Sequence, residues 1–333
     1  MSPDVTRPLP LPDGGVLRAE QRERDTWLAL DGRPLVHLRS VAEGVLQPLE
    51  VAASDSAEAL WSACYWWFAQ APQLPRLAWH GVDAGTAQRC QDWLRPGAEA
   101  GTWHVERGVF WQVARPWLQQ AQAPYPEQFV MRDGKRHPAR RGKPSGELYR
   151  RYDARLGAWI SLRSLDIDSD LERFNRWQNT PRVLHFWQEG GSLEQHRAYL
   201  QGIAADPHVY SVIGCFDDQP FAYFELYWAR EDRIAPFYAV DDYDRGIHML
   251  VGEEAHRGPH KVASWLAALT HYAFLDDPRT RKVVAEPRAD NAKMIGYMQQ
   301  LGYYREKEFD FPHKRAALMA VGRERFFDGA VLC

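Results

Sequence analysis

Hydrophobic and polar positions change their period several times along this chain. In the first half, TWLALDG, PLVHLRSV and LPRLAWHGV alternate apolar and polar residues, which is the period of a half-buried strand. Between the second and third of these lies DSAEALWSACYWWFAQA. Its apolar residues recur every three or four positions, so the spacing predicts a helix, and Asp55 followed by Glu58 has the form of a capping box. In the second half GAWISLRSL alternates and reads as a strand. LERFNRWQNTPRV reads as a helix stopped by Pro181, because proline disfavours helical geometry in the residue before it. SLEQHRAYLQGIA predicts a helix with Ser192 as N-cap and Gln195 three residues on. VYSVIGCF and FAYFELYWA around DDQP read as a hairpin. GIHMLVG follows as a strand and KVASWLAALTHYAF as a helix. RKVVAEP is another strand, NAKMIGYMQQLG a helix ended by Gly302, and KRAALMAVG a last strand. Strand, helix, strand, helix implies a right-handed parallel crossover, here flanked by antiparallel hairpin strands. The class is α/β, and no internal repeat stands out.

The two halves meet at MRDGKRHPARRGKPSGELYRRY, a basic stretch broken by Pro and Gly. It reads as an exposed connector, with phosphate recruitment as the sharper alternative, and it puts the domain boundary near residue 145. Residues 1–145 form an N-terminal α/β domain with no assigned chemistry, and residues 146–333 a second domain. Composition changes this picture little. Of 333 residues, 45% are hydrophobic and 26% charged, as in a soluble globular protein. The formal net charge of −3 offers no broad attraction to nucleic acid. Cys64, Cys90, Cys215 and Cys333 are far apart and form no CxxC pair, so reduced thiols in a cytoplasm are expected, with neither disulfide framework nor zinc site. MSPDVTRPLPLPDGG has no apolar core and reads as neither signal peptide nor membrane anchor. The 14 tryptophans are expected in cores and cleft walls before any sugar site.

The candidate chemistry lies in HRGPHK, between the strand GIHMLVG and the helix after it. A helix N-terminus exposes unpaired N–H groups and carries partial positive charge, so a loop entering it can seat phosphate. Gly258 permits close backbone approach, Arg257 and Lys261 supply charge, and Pro259 and His260 complete the loop; a diphosphate suits it. A merely basic connecting loop is the plainer alternative. Neither GxxxxGK[ST] nor GxGxxG is present. His256 and His260 have no acidic or sulfur partner beside them, so no metal is expected.

Strand, Arg-Gly loop, helix, strand, then a helix beginning at Asn291 with Tyr297 ahead of Gly302-Tyr303, resembles the GNAT acyltransferases. The resemblance implies a mixed twisted sheet flanked by helices, with the loop after the fourth strand on the pyrophosphate of coenzyme A. The usual second small residue of that loop is replaced here by Pro259-His260. WQNTPRV, FDDQPFAYFELYWARED, DYDRGIHMLVGE, RGPH, FLDDPRT, EPRADN and FPHKRAALM narrow the match. Over residues 148–327 they are similar to the siderophore-type acyltransferases of the aerobactin kind and to relatives acting on hydroxyornithine or hydroxylated diamines. The N-terminal domain is weakly covered and is expected at most to be a degenerate copy of the same fold.

What the resemblance implies is acyl transfer from acyl-CoA, acetyl-CoA first among donors, to a small-molecule hydroxylamine. The product is a hydroxamate that binds ferric iron, and the protein is a monomer or homodimer with no nucleic acid or membrane partner. His248 in Gly246-Ile247-His248 matches a family histidine that contacts substrate, and Glu286 before Pro287 matches the family's general base. Tyr297 matches the candidate donor to the leaving thiolate. Met249, Val251, Arg257, Gly258, Pro259, His260, Lys261 and Asn291 fall on the cofactor side. Asp290 is read as the cap of the helix that starts at Asn291. Glu225 with Tyr223, Tyr227 and Trp228 can line an amine pocket, and His313, Lys314 and Arg315 can meet a substrate carboxylate. Two alternatives stay open: a GNAT acetylating a plain amine such as an aminoglycoside or lysine, and a non-catalytic acyl-CoA-binding protein.

Overall fold

The computed structural model describes residues 4–5, 7–52, 55–329 and 331–332. Met1–Pro3 and Cys333, on which the leader and thiol readings partly rest, lie outside the described residues; Cys64, Cys90 and Cys215 are buried free thiols. The chain packs as two compact units. One is the chain up to Pro116 with Tyr152–Gly157 and the chain from Val331; the other is Trp117–Arg151 with Ala158–Ala330. The division falls after Pro116, ahead of the connector at which the sequence places it. The connector is not a loose linker. Phe129–Arg132 and Lys135–Pro138 form a hairpin, turned by Asp133 and Gly134 at positive φ of 48° and 75°. Its cations are engaged within the second unit: Arg140 donates to Glu231 at 2.6 Å, and Lys143 to the Ala204 carbonyl at 2.8 Å. Arginines paired in this way do not recruit phosphate.

In the first unit Val16–Arg22, Asp25–Leu30, Arg33–Ala42 and Val45–Val51 form an antiparallel meander. The helix Ser56–Gln70, capped by Asp55 on the Ala57 N–H, crosses over to Arg76–His80, which lies parallel to Val45–Val51. Thr102–Glu106 then pairs antiparallel with Arg76–His80. Trp66, Trp79 and Trp111 are buried in this unit's core, as the plain reading of the tryptophans expects.

The second unit carries eight strands, numbered here β1 (Glu147–Asp153), β2 (Ala158–Ser164), β3 (Val209–Phe216), β4 (Gln219–Trp228), β5 (Arg245–Val251), β6 (Lys282–Ala285), β7 (Tyr304–Phe311) and β8 (Lys314–Gly322). Its helices are α1 (Ile167–Gln178), α2 (Pro181–Trp187), α3 (Leu193–Ala205), α4 (Pro259–Asp276), α5 (Ala292–Gln300) and α6 (Arg323–Gly329). The sheet order is β1-β2-β3-β4-β5-β6-β8-β7. Pro181 does end α1, but it also opens α2 as its first residue, behind Thr180; a missing N–H costs nothing there. The β3–β4 turn puts Asp217 and Asp218 at φ of 45° and 62°, the geometry that suits a two-residue hairpin. β5 and β6 are parallel and joined by α4, so the expected crossover is present. Five strands paired in succession, crossover helix, parallel strand, helix and terminal hairpin recur in the first unit in the same spatial order. The N-terminal unit thus repeats the strand order of this fold. Among the described residues, no helix is long and apolar enough to cross a membrane.

Candidate functional site

The site grows from a split in the second unit's sheet. β5 and β6 pair only at Arg245↔Val283 and Gly246↔Val284, then part. β5 continues alone on that side through Ile247, His248, Met249, Leu250 and Val251, while its other edge stays paired to β4, with His248 opposite Glu225. Glu286 follows the last residue of β6. The sheet therefore opens into a cleft with His248 on one wall and Glu286 on the other.

These side chains meet. His248 Nδ1 lies 2.7 Å from Glu225 Oε2, and His248 Nε2 lies 2.5 Å from Glu286 Oε1. Glu225 also accepts from Tyr199 Oη at 2.6 Å and Tyr223 Oη at 2.7 Å, and Glu286 Oε2 accepts from Tyr227 Oη at 2.7 Å. Glu225 and Glu286 are buried. A neutral imidazole has one N–H, so one of two flanking carboxylates would face a lone pair. Both contacts are favourable only for the imidazolium. Burial works against that charge, but the charges of Glu286 and Glu225 and the hydrogen bonds to them outweigh it, and the His248 pKa is raised to about 10. Burial likewise opposes the charge on both carboxylates. His248, with Tyr199 and Tyr223 for Glu225 and with Lys314 and Tyr227 for Glu286, overcomes it, and both stay below the usual range.

Gly246 makes this geometry possible. It lies opposite Tyr227 in the β4–β5 register, and a Cβ there would sit 1.9 Å from the Tyr227 ring. Without a side chain at 246 the ring lies across the strand and reaches Glu286. This gives a packing reason for the Gly-x-His spacing. Trp187 meets His248 edge-on at 6.3 Å between ring centroids.

At the far end of β5 stands the loop that the sequence offers as an anion site. Gly258 precedes α4 with φ of 120°, a conformation open to glycine and rarely to other residues. No side chain caps α4, and Pro259 is its first residue, so the first-turn N–H groups of His260 and Lys261 face outward. Arg257 has no ion pair among the described residues. Lys261 instead braces the loop, donating to the Ala255 carbonyl at 3.0 Å. Arg182, which the sequence did not single out, donates from α2 to the Val251 carbonyl at 2.8 Å and pins the end of β5.

Other candidates are placed elsewhere or otherwise engaged. Trp228 is stacked under the guanidinium groups of Arg140 and Arg245, each 4.1 Å from its ring, on the face opposite Glu225. Adjacent strand residues point to opposite faces, so Trp228 does not line the pocket with Glu225. Asn291 is the cap of α5, accepting from the Met294 N–H, and Asp290 is bound to Arg288 at 2.6 Å; the capping role read for Asp290 belongs to Asn291. Arg315 is held by Glu308 at 3.0 Å, and Lys314 donates to the Glu286 carbonyl at 2.7 Å. Tyr297 is half-buried on α5. His313 is exposed and stacks on Phe311 at 5.5 Å. Tyr227, grouped with Glu225 in the sequence, does line the site, while Tyr199 and Arg233 enter it from separate elements with no local spacing signal to reveal them. Among the described residues, no group of three or more His, Cys, Asp or Glu side chains is arranged to hold a metal.

A sheet that splits between two parallel strands, with a glycine-led helix at the end of one and an acid at the end of the other, defines an acyltransferase of the GNAT class. The chain belongs to that family: residues 166–311 match the Acetyltransferase (GNAT) domain. It is 45% identical over 226 residues to the N(6)-hydroxylysine O-acetyltransferase of Escherichia coli, covering 67% of this chain and 71% of the relative. It is 48% identical over 195 residues to the N(5)-hydroxyornithine:cis-anhydromevalonyl coenzyme A-N(5)-transacylase of Beauveria bassiana, covering 57% of this chain and 43% of that one. A crystal structure of an uncharacterized protein from Bacillus halodurans aligns with a TM-score of 0.53 at 28% identity, over 55% of this chain and 94% of that chain.

Proposed function

We propose that this enzyme transfers an acyl group from acyl-CoA to the hydroxylamine nitrogen of a small N-hydroxylated amine, giving a hydroxamate for siderophore assembly. Glu286 acts as general base, and the Gly258 loop with Arg257 and the first turn of α4 holds the diphosphate of coenzyme A. The observation that carries this reading is the clamp Glu225–His248–Glu286. A carboxylate held below its usual range is a weak base. It cannot take the proton from an alkylammonium near pH 7, and a plain amine arrives in that form. A hydroxylamine is much less basic and arrives neutral. It loses its proton only as the N–C bond forms and its nitrogen becomes strongly acidic, and a weak base then suffices. In the step, nitrogen attacks the thioester carbon, its proton passes to Glu286, the C–S bond breaks and coenzyme A leaves as the thiolate. The β5 edge freed by the split supplies backbone N–H groups for the developing oxyanion. The names of the Escherichia coli and Beauveria bassiana relatives, both of which specify hydroxylated amino acids, support the same acceptor class.

Mass spectrometry of products from paired acceptors, each hydroxylamine beside its unhydroxylated parent, tests the reading. With acetyl-CoA near pH 7 the expected result is one added acyl group on the hydroxylamine and a positive ferric-hydroxamate colour. Faster acylation of the plain amine would overturn it in favour of an ordinary amine acetyltransferase.

A further inference from the structure

The acceptor's skeleton is open in that reading, and one cation bears on it. Arg233 stands beyond the end of β4 with half of its side chain exposed. Its guanidinium lies over the Phe311 ring, 5.2 Å from the centroid, and 3.7 Å from Glu286 Oε1. Phe311 is buried, so the ring is a fixed platform. Other cations around the same lip are engaged: Lys314 on the Glu286 carbonyl and Arg288 on Asp290. Arg233 alone of these three donates no hydrogen bond among the described residues.

We propose that Arg233 receives a carboxylate of the acceptor, so that the substrate is an N-hydroxylated amino acid rather than an N-hydroxylated diamine. This rests on the acyl-transfer reading above. A guanidinium presents a planar fork of N–H groups that matches a carboxylate in bidentate fashion. One side of this fork faces Glu286, where the nitrogen reacts, and the outer side faces solvent. A carboxylate on the outer side is then separated from the reacting nitrogen by the width of the guanidinium, a span that a short alkyl chain can bridge. Arg233 and Lys314 make this lip cationic, and the ammonium of a diamine would meet like charge there. An acyl donor ending in a carboxylate carries the same chemistry from the other substrate, and the test separates the two.

The experiment compares N6-hydroxylysine with N-hydroxycadaverine, the same chain without its carboxylate, and acetyl-CoA with succinyl-CoA, in the wild type and in Arg233→Met and Arg233→Lys. Expected with acetyl-CoA is a wild-type preference for hydroxylysine. Arg233→Met should lose at least about tenfold more in kcat/KM for hydroxylysine than for hydroxycadaverine, mainly through KM, with Arg233→Lys intermediate. An equal loss for both acceptors, no loss, or a loss confined to succinyl-CoA would overturn the proposal. A wild type that turns over both hydroxylamines without preference sinks this inference alone. A wild type that acylates neither sinks the acyl-transfer reading and this inference with it.

Discussion

Glu286→Gln is expected to lower kcat by at least about 10²-fold while coenzyme A binds the variant as it binds the wild type. The two halves of that result come from different ends of β5. Glu286 stands where β6 leaves the sheet, in contact with His248 and Tyr227. Gln fills the same volume, but its amide cannot accept the proton of the acylating nitrogen. Its carbonyl can still accept from the His248 N–H, and its NH2 can donate to the Tyr227 hydroxyl, which accepts in place of donating, so the buried contacts are kept and the loss falls on the base. The loop proposed for the diphosphate, from Arg257 into α4, lies at the other end of β5. Steady-state release of free thiol gives kcat, and calorimetry with coenzyme A gives the affinity. Unchanged turnover would remove Glu286 from the mechanism, and lost affinity would mean that the two ends of β5 are not independent.

The second large effect is on stability. His248→Ala leaves Glu225 and Glu286 buried without their shared cation. Removing one member of a buried ionic group costs roughly 3–5 kcal/mol, because the remaining charge has lost its solvent and gained nothing. For a protein of this size the midpoint of thermal unfolding should fall by on the order of 10 °C. The pH dependence fixes the cause. In the wild type the two carboxylates have folded pKa values below the ordinary 4.5. Their contribution is present above that value and is lost as pH falls through the lowered folded values. The folded His248 pKa, about 10 against an ordinary 6.5, gives a contribution complete below 6.5 and lost as pH rises through about 10. In His248→Ala burial is opposed only by the tyrosine hydroxyls and Lys314, and the carboxylate pKa values rise. The deficit should therefore shrink as the solution is acidified toward pH 5. Scanning calorimetry at pH 5, 7 and 9 on both proteins measures this, and a deficit independent of pH would mean lost packing, not lost charge.

How much of this was readable in the chain depends on how local each signal is. His248 and Glu286 stand out because a glycine two residues before a strand histidine, and an acid closing an apolar strand, are local patterns. The structure sets the two 2.5 Å apart. The hydrogen-bond string around them was not readable. Tyr227 meets Glu286 only because the β4–β5 register sets it opposite Gly246, and Tyr199 reaches Glu225 from another element altogether. Trp228 was grouped with Glu225 by proximity in sequence, but three residues along a strand is an odd number and reverses the face. The basic connector is exposed over residues 131–136, but its hairpin is not readable because the Asp133-Gly134 turn signal lies within a charge run, and Glu231 and Asp276, the partners of Arg140 and Arg141, are remote in sequence. In the first unit the strand order of the fold recurs with no matching motif. Asp55 caps the helix that corresponds to α4, which puts a carboxylate where the second unit has the uncapped Gly258 loop. Topology can survive changes in the loop residues, and sequence motifs do not report it.

The most direct test of the central claim is the protonation state of one ring. Side-chain nitrogen NMR of His248, assigned by comparison with a His248 variant, reads both ring nitrogens as pH is raised. The account predicts that both stay protonated through pH 8 and that the ring titrates near about 10. Titration near 6.5, with a single N–H at pH 8, would contradict it, because the imidazole would then be neutral and the two carboxylates unclamped.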